Sequence, residues 1–153
     1  MSMVEKPFVL LVDDNEATCT LITAILQKEF TTDTASDGAE AVEKLKTKQY
    51  AVILLDIRMP TFDGYGVLDY LTANRPEALK SVIVVTASLS NRELARMKQY
   101  DVFGMIAKPF DVEVLLAAVK QCAGLGDGSS RGSAFFNSTM VLLLADLLQK
   151  RLM

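Results

Sequence analysis

Short hydrophobic runs alternate along this chain with longer segments that mix polar and apolar positions. Four of the runs are almost entirely apolar, and a more polar run at 31–35 fits between the first two; the four lie at residues 8–12, 51–55, 82–85 and 103–107. Runs this short and rich in Val and Ile favour strands over helices. Because their hydrophobicity is continuous, we expect both faces of each strand to be buried, as in a parallel sheet.

Segments with apolar residues at helical spacing separate and follow these runs. They are predicted to form helices at 16–30, 38–48, 64–73, 91–100 and 112–123. Capping residue types precede several of them, including Asp37, Ser90 and Asp111, and Pro76 ends the third. Five successive strand-helix units predict an α/β fold, a doubly wound five-stranded parallel sheet with helices on both faces. Functional sites in such sheets form at the carboxyl ends of the strands.

Composition narrows the class of protein further. The 153 residues are 50% hydrophobic, enough for one well-filled core. A net charge of −3 argues against direct binding of nucleic acid. Cys19 and Cys122 stand far apart in a chain without histidine, which indicates small core residues in a reducing compartment and not a zinc site. No segment is long and apolar enough for a membrane span or a signal peptide, so we expect a cytoplasmic protein.

The texture of the chain changes at residue 124. The stretch "GLGDGSSRG" has the composition of a flexible linker, and the last residues place Val141, Leu144, Leu148 and Leu152 on one helical face. We therefore predict a main domain at 6–123, a linker at 124–133 and an amphipathic C-terminal helix at 134–153. That helix is too short to form a core of its own. It is interpreted as a dimerisation or partner helix, as a helix docked on the domain, or as the start of a truncated output domain. A membrane-surface helix is disfavoured because its polar face has few basic residues.

Polar residues follow four of the predicted strands. They are Asp13 and Asp14 after the first, Asp56 after the third, Thr86 after the fourth and Lys108 after the fifth. Three carboxylates crowded together repel one another unless a cation lies among them, and Mg²⁺ with a few oxygen ligands suits so small a cluster. An ionised aspartate beside Mg²⁺, a lysine and a hydroxyl can also attack a phosphoryl group and form an acyl phosphate. This pattern makes Asp56 a candidate nucleophile.

Each of these residues has a simpler interpretation when taken alone. Asp13 and Asp14 are the type of residue that caps a helix starting near Asn15, Thr86 is an ordinary strand residue, and a single lysine is usually a solvated charge. Their joint placement at the ends of four strands favours the functional interpretation.

At these residues the sequence resembles the receiver domain of two-component response regulators. The resemblance covers about residues 6–123 and lies in "LLVDDNE" (10–16), "LLDIRMPTFDG" (54–64), "VVTAS" (84–88) and "AKPF" (107–110). It implies a flavodoxin-like (βα)5 receiver fold and a signalling switch that catalyses only its own phosphorylation and dephosphorylation. The implied partners are a sensor histidine kinase or a histidine phosphotransfer protein and a downstream protein target. A homodimer through the C-terminal helix is predicted separately, from the apolar face of that helix.

The resemblance also implies roles for single residues. Asp56 would accept the phosphoryl group, Asp14 would bind Mg²⁺ directly, Asp13 would bind it through water, and the backbone carbonyl of Arg58 would complete the protein ligands. Thr86 and Lys108 would contact the phosphoryl oxygens, and the peptide before Pro109 would be cis. Phosphorylation would then shift the face formed by the fourth helix, the fifth strand and the fifth helix.

The sequence departs from the receiver pattern at one position. Receivers of this type commonly carry Tyr or Phe three residues before the lysine, where this chain has Met105. Phe103 is two positions away on the same side of the predicted strand, which makes it a candidate to replace that aromatic residue. A phosphotransferase or hydrolase of the haloacid dehalogenase type is the alternative, since it also uses an aspartate after a strand. That class needs a second aspartate two residues later, where this chain has Arg58. A receiver-like module that takes no phosphate is disfavoured because all five expected residues are present.

Overall fold

The computed structural model describes residues 5–59, 62–87 and 90–125. Strands and helices alternate in the predicted order. The elements are β1 (Phe8–Val12), α1 (Glu16–Leu26), β2 (Thr31–Ala35), α2 (Gly38–Thr47), β3 (Val52–Leu55), α3 (Gly64–Asn74), a 3₁₀ helix (Pro76–Ser81), β4 (Val82–Thr86), α4 (Asn91–Met97), β5 (Gly104–Ala107) and α5 (Val112–Cys122). The predicted fold class is confirmed.

The sheet is fully parallel and has the strand order β2-β1-β3-β4-β5. After β1 the chain first adds β2 on one side and then returns to add β3 on the other. The order therefore reverses between β1 and β3, where a crevice forms at the carboxyl ends. Val12 is paired with Leu55 across this point, so the residues that follow them, Asp13 and Asp56, are direct neighbours.

Two hydrophobic layers cover the two faces of the sheet, which explains the continuous hydrophobicity of the strands. The α2, α3 and α4 side packs on Leu10, Val12, Ile53, Leu55, Val82, Val84 and Met105. The α1 and α5 side packs on Val9, Leu11, Val52, Leu54, Ile83, Val85 and Ile106. Cys19 and Cys122 are half-buried free thiols that pack against this second layer, in agreement with their interpretation as core residues.

Side-chain caps fix the starts of the helices. The predicted caps Asp37, Ser90 and Asp111 accept hydrogen bonds from the backbone N–H groups of the first turns of α2, α4 and α5. The end of α5 is equally well defined, because Gly124 has a positive φ of 79° and Leu125 donates its N–H to the carbonyl of Lys120. The orientation of the loops at the strand ends is thus set by local hydrogen bonds.

Two helices end well before their predicted last residues. The first helix stops at Leu26 and not at residue 30, because the chain turns there and inserts Phe30 into the core at 2% exposure. The fourth stops at Met97 and not at residue 100. The predicted helix at 134–153 and nearly all of the predicted linker lie outside the described residues. In the part of the chain that is described, no helix has the length and hydrophobicity to cross a membrane.

Candidate functional site

Three carboxylates meet at the carboxyl end of the sheet. Asp13 and Asp14 follow β1 and Asp56 follows β3, and one oxygen from each lies within 4.8 Å of the others. Asp13 and Asp56 are 3% and 7% exposed, whereas Asp14 is exposed to solvent. The cluster is therefore anchored in the fold on one side and open on the other.

Lys108 supplies the positive charge of this cluster. It follows β5, and its Nζ donates to Asp13 Oδ2 at 2.7 Å and to Asp56 Oδ2 at 3.4 Å. The Lys108–Pro109 peptide bond is cis, as predicted. Because its side chain is only 21% exposed and contacts two carboxylates, the interpretation of Lys108 as a solvated charge is wrong.

The loop backbone holds both buried carboxylates in place. Asp13 Oδ1 accepts the N–H of Asn15 at 2.9 Å, and Asp56 Oδ1 accepts the N–H of Arg58 at 3.1 Å. The cap of α1 is Asn15, which accepts the N–H of Thr18. Asp13 and Asp14 are therefore not the caps of this helix, and their carboxylates lie in the cluster at the carboxyl end of the sheet.

Burial and charge shift the ionisation of the site in opposite directions. Burial, together with the charge of Asp13, raises the pKa of Asp56 against the lowering effect of Lys108 and the Arg58 N–H. Burial alone would lower the pKa of Lys108, but the hydrogen bond to Asp13 and the charges of Asp56 and Asp13 raise it. Lys108 therefore stays charged at neutral pH, and the folded chain holds the Asp56 carboxylate at a cost in free energy.

Thr86 lies at the end of its strand, and Arg58 lies in the loop after β3. Thr86 is the last residue of β4, is 2% exposed, and accepts the Lys108 N–H on its carbonyl at 2.9 Å. The Arg58 guanidinium forms an ion pair with Glu93 of α4 at 3.4 Å. Sequence reasoning missed Glu93, because nothing in a seven-residue helix marks one acidic residue as the partner of this loop.

Comparison with known proteins identifies the family of this chain. Residues 9–120 match the family model described as the response regulator receiver domain. The chain belongs to this family. Two-component receivers act as phosphorylation switches, and the alternative of a haloacid dehalogenase-type enzyme is not supported.

Relatives and solved structures agree with the family. The chain is 32% identical over 127 residues to the probable chemotaxis protein CheY of Rhizobium etli, covering 81% of this chain and 98% of the relative. It is 30% identical over 114 residues to hybrid signal transduction histidine kinase D of Dictyostelium discoideum, covering 74% of this chain and only 7% of the kinase. The receiver domain of Francisella response regulator 1452 has a similar structure, with a TM-score of 0.69, 26% identity, and coverage of 80% and 100% of the two chains.

The donor set of this receiver fits a hard divalent cation. Three carboxylate oxygens within 4.8 Å of one another are the ligands that Mg²⁺ prefers, and the exposed side at Asp14 leaves room for the waters that it retains.

The packing around β5 shows where Met105, which stands at the usual aromatic position of receivers, and Phe103 lie. Met105 is 3% exposed and lies in the layer under α2, α3 and α4. Phe103 precedes β5 and packs in the opposite layer, with α1 and α5. The suggestion that Phe103 replaces the usual aromatic residue is therefore wrong, because the regular alternation of a strand does not extend back to residue 103.

Proposed function

We propose that this receiver accepts a phosphoryl group on Asp56 from the phosphohistidine of a sensor histidine kinase or a histidine phosphotransfer protein. The observation that carries the proposal is the Asp56 carboxylate itself. It is held at the end of β3, is 7% exposed, and has Lys108 Nζ at 3.4 Å. A buried carboxylate whose surroundings raise its pKa is typical of a functional site.

The transfer needs little beyond positioning and charge neutralisation. An Asp56 carboxylate oxygen attacks phosphorus, the new O–P bond forms, and the P–N bond to the donor imidazole breaks with its electron pair on the nitrogen. Asp56 needs no general base because it is already ionised. We assign Lys108 to neutralise negative charge on the phosphoryl oxygens, and the Thr86 hydroxyl to contact the same oxygens.

We further assign Asp13, Asp14, Asp56 and the Arg58 backbone carbonyl as the groups that would hold Mg²⁺. When bound, the ion would supply positive charge next to the phosphoryl oxygens. The support for this assignment is the mutual distance of the three carboxylates, within 4.8 Å, and the hydrogen bond that fixes the Arg58 backbone against Asp56.

Phosphorylation by a small donor tests the acceptor directly. Incubation with acetyl phosphate and Mg²⁺ should add one phosphoryl group in intact-mass measurement, and EDTA should prevent the addition. Asp56→Asn should abolish the adduct. The matched control is Asp63→Asn, which changes a carboxylate in the same loop to another good cap of α3. An adduct that survives Asp56→Asn, or that disappears with Asp63→Asn, would overturn the assignment.

The physiological donor and target are also proposals. A receiver segment within a chain named a hybrid histidine kinase supports a kinase as the donor. The net charge of −3 supports a protein target and not DNA.

We also propose that residues 134–153 form the predicted helix and dimerise the chain. Light scattering of the full chain and of a chain ending at Leu125, which keeps the end of α5, should then give dimer and monomer masses; equal masses would contradict dimerisation.

A further inference from the structure

A chain of polar contacts connects the loop after Asp56 with helices α3 and α4. Arg58 donates its backbone N–H to Asp56 Oδ1, and its guanidinium pairs with Glu93 Oε1 at 3.4 Å. The other carboxylate oxygen of Glu93 accepts the phenolic O–H of Tyr65, which lies on α3. We name these three residues, Arg58, Glu93 and Tyr65, the α3–α4 link.

The link combines a fixed end and a movable end. Tyr65 is 4% exposed and is covered by Arg96 of α4, whose guanidinium carbon lies 3.4 Å from the ring centroid. The side chain of Arg58 is 66% exposed, and that of Glu93 is 20% exposed. Because an exposed ion pair is weak, the Arg58–Glu93 contact is the step that a new charge can most easily break.

The α3–α4 link contains a buried aromatic side chain with a hydroxyl group, which β5 lacks in this receiver. Met105 has no hydroxyl, and Phe103 packs on the other side of the sheet. Tyr65 is a buried aromatic residue with a hydroxyl in the same layer as Met105, and it contacts α4 directly. The described residues thus place a hydroxyl-bearing ring beside α4 from α3 and not from β5.

We propose that the α3–α4 link carries the phosphorylation signal from Asp56 to α4. This inference rests on the proposed phosphorylation of Asp56. The acyl phosphate carries between one and two negative charges where the Asp56 carboxylate carried one, so the local negative charge rises by at most about one. Its three phosphoryl oxygens also offer the guanidinium a stronger, bidentate partner than Glu93. Arg58 then leaves Glu93, the contact between Glu93 and Tyr65 loses its support, and the first turn of α4 loosens. In the unphosphorylated chain the link holds α4 in place.

Hydrogen exchange of the α4 segment tests this inference in the full chain. Peptides covering residues 91–100 are followed by mass spectrometry with Mg²⁺, with and without acetyl phosphate, and the intact mass of each sample is measured in parallel. The parent should exchange faster in α4 when phosphorylated. Tyr65→Phe, which keeps the ring and removes the O–H, should exchange about tenfold faster before phosphorylation and change little afterwards. Glu93→Gln should behave in the same way.

Tyr100→Phe is the matched control. Tyr100 follows α4, its O–H bonds to Asp69 of α3 at 2.6 Å and not to Glu93, and its ring centroid lies 6.3 Å from that of Tyr65. This variant should keep the response of the parent. If Tyr65→Phe and Glu93→Gln also keep that response, or if Tyr100→Phe loses it equally, the link does not carry the signal. If the parent gains no phosphoryl mass, the proposed function itself fails and this inference fails with it.

Discussion

Asp56→Asn is expected to stabilise the fold while it abolishes phosphorylation. Two neighbouring carboxylates lie within 4.8 Å of an Asp56 oxygen. At an effective dielectric constant of about 20, each repels Asp56 by about 3.5 kcal/mol or more at that distance. Lys108 at 3.4 Å attracts Asp56 by about 5 kcal/mol on the same basis. The repulsion from the buried Asp13 offsets most of this attraction, the exposed Asp14 adds to it, and burial is the main penalty on the Asp56 charge.

The expected gain is smaller than this gross penalty. Asp14 is exposed, so water screens its repulsion, and the neutral amide of the variant would no longer form an ion pair with Lys108. We expect the free energy of unfolding to rise by about 1–2 kcal/mol, within the range usual for substitutions that relieve a functional site. Chemical denaturation in EDTA near pH 7 measures this change. Asp101→Asn removes an exposed carboxylate outside the cluster and should leave stability unchanged within about 0.5 kcal/mol.

The pH dependence gives a second measurement of the same effect. Because burial and Asp13 raise the pKa of Asp56, the folded chain binds this proton more tightly than the unfolded chain does. The penalty is therefore fully present at neutral pH, shrinks as pH falls through the folded pKa, and is absent below the unfolded pKa of about 3.9. The gain from Asp56→Asn should follow the same course. A variant less stable than the parent at neutral pH, or a gain that does not change with pH, would refute the reasoning.

Further substitutions and one alkylation reaction test other parts of the structure. Lys108→Met should lower the free energy of unfolding by about 3 kcal/mol in EDTA, because Asp13 and Asp56 would stay buried without their cation. Chemical denaturation measures this loss, and a loss under about 1 kcal/mol would contradict the expectation. Burial raises the pKa of the Cys122 thiol to about 12. Near pH 8 iodoacetamide should therefore alkylate this thiol about a thousandfold more slowly in the native chain than in the denatured chain. Mass spectrometry follows the reaction, and equal rates would show an accessible thiolate. Gly38→Ala and Gly66→Ala should each cost about 1–3 kcal/mol in thermal unfolding, since a Cβ at either position overlaps Phe62. Phe62→Ala should rescue Gly66→Ala, whose Cβ meets only ring atoms, and should fail to rescue Gly38→Ala, whose Cβ lies 2.6 Å from the Phe62 carbonyl oxygen.

The strands and the acidic cluster were predictable because parallel strands constrain sequence strongly. A strand buried on both faces must be continuously apolar, so a charged residue such as Asp56 at its end stands out. The order of the strands then brings Asp13 and Asp56 together without any knowledge of side-chain packing. Helix ends were less predictable, since the position of Phe30 depends on space in the core and not on helical spacing.

The α3–α4 link was not predictable from the sequence, for a physical reason. Arg58 lies in a loop, Tyr65 on α3 and Glu93 on α4, and none occupies a position that periodicity distinguishes. Their contacts depend on how far α4 lies from the loop after β3, which is set by the packing of side chains such as Met97 and Met105 between helix and sheet. The acceptor site is fixed by the backbone of the sheet, whereas the route from that site to α4 is fixed by side chains. The chemistry of a receiver is therefore easier to predict from sequence than its signal output.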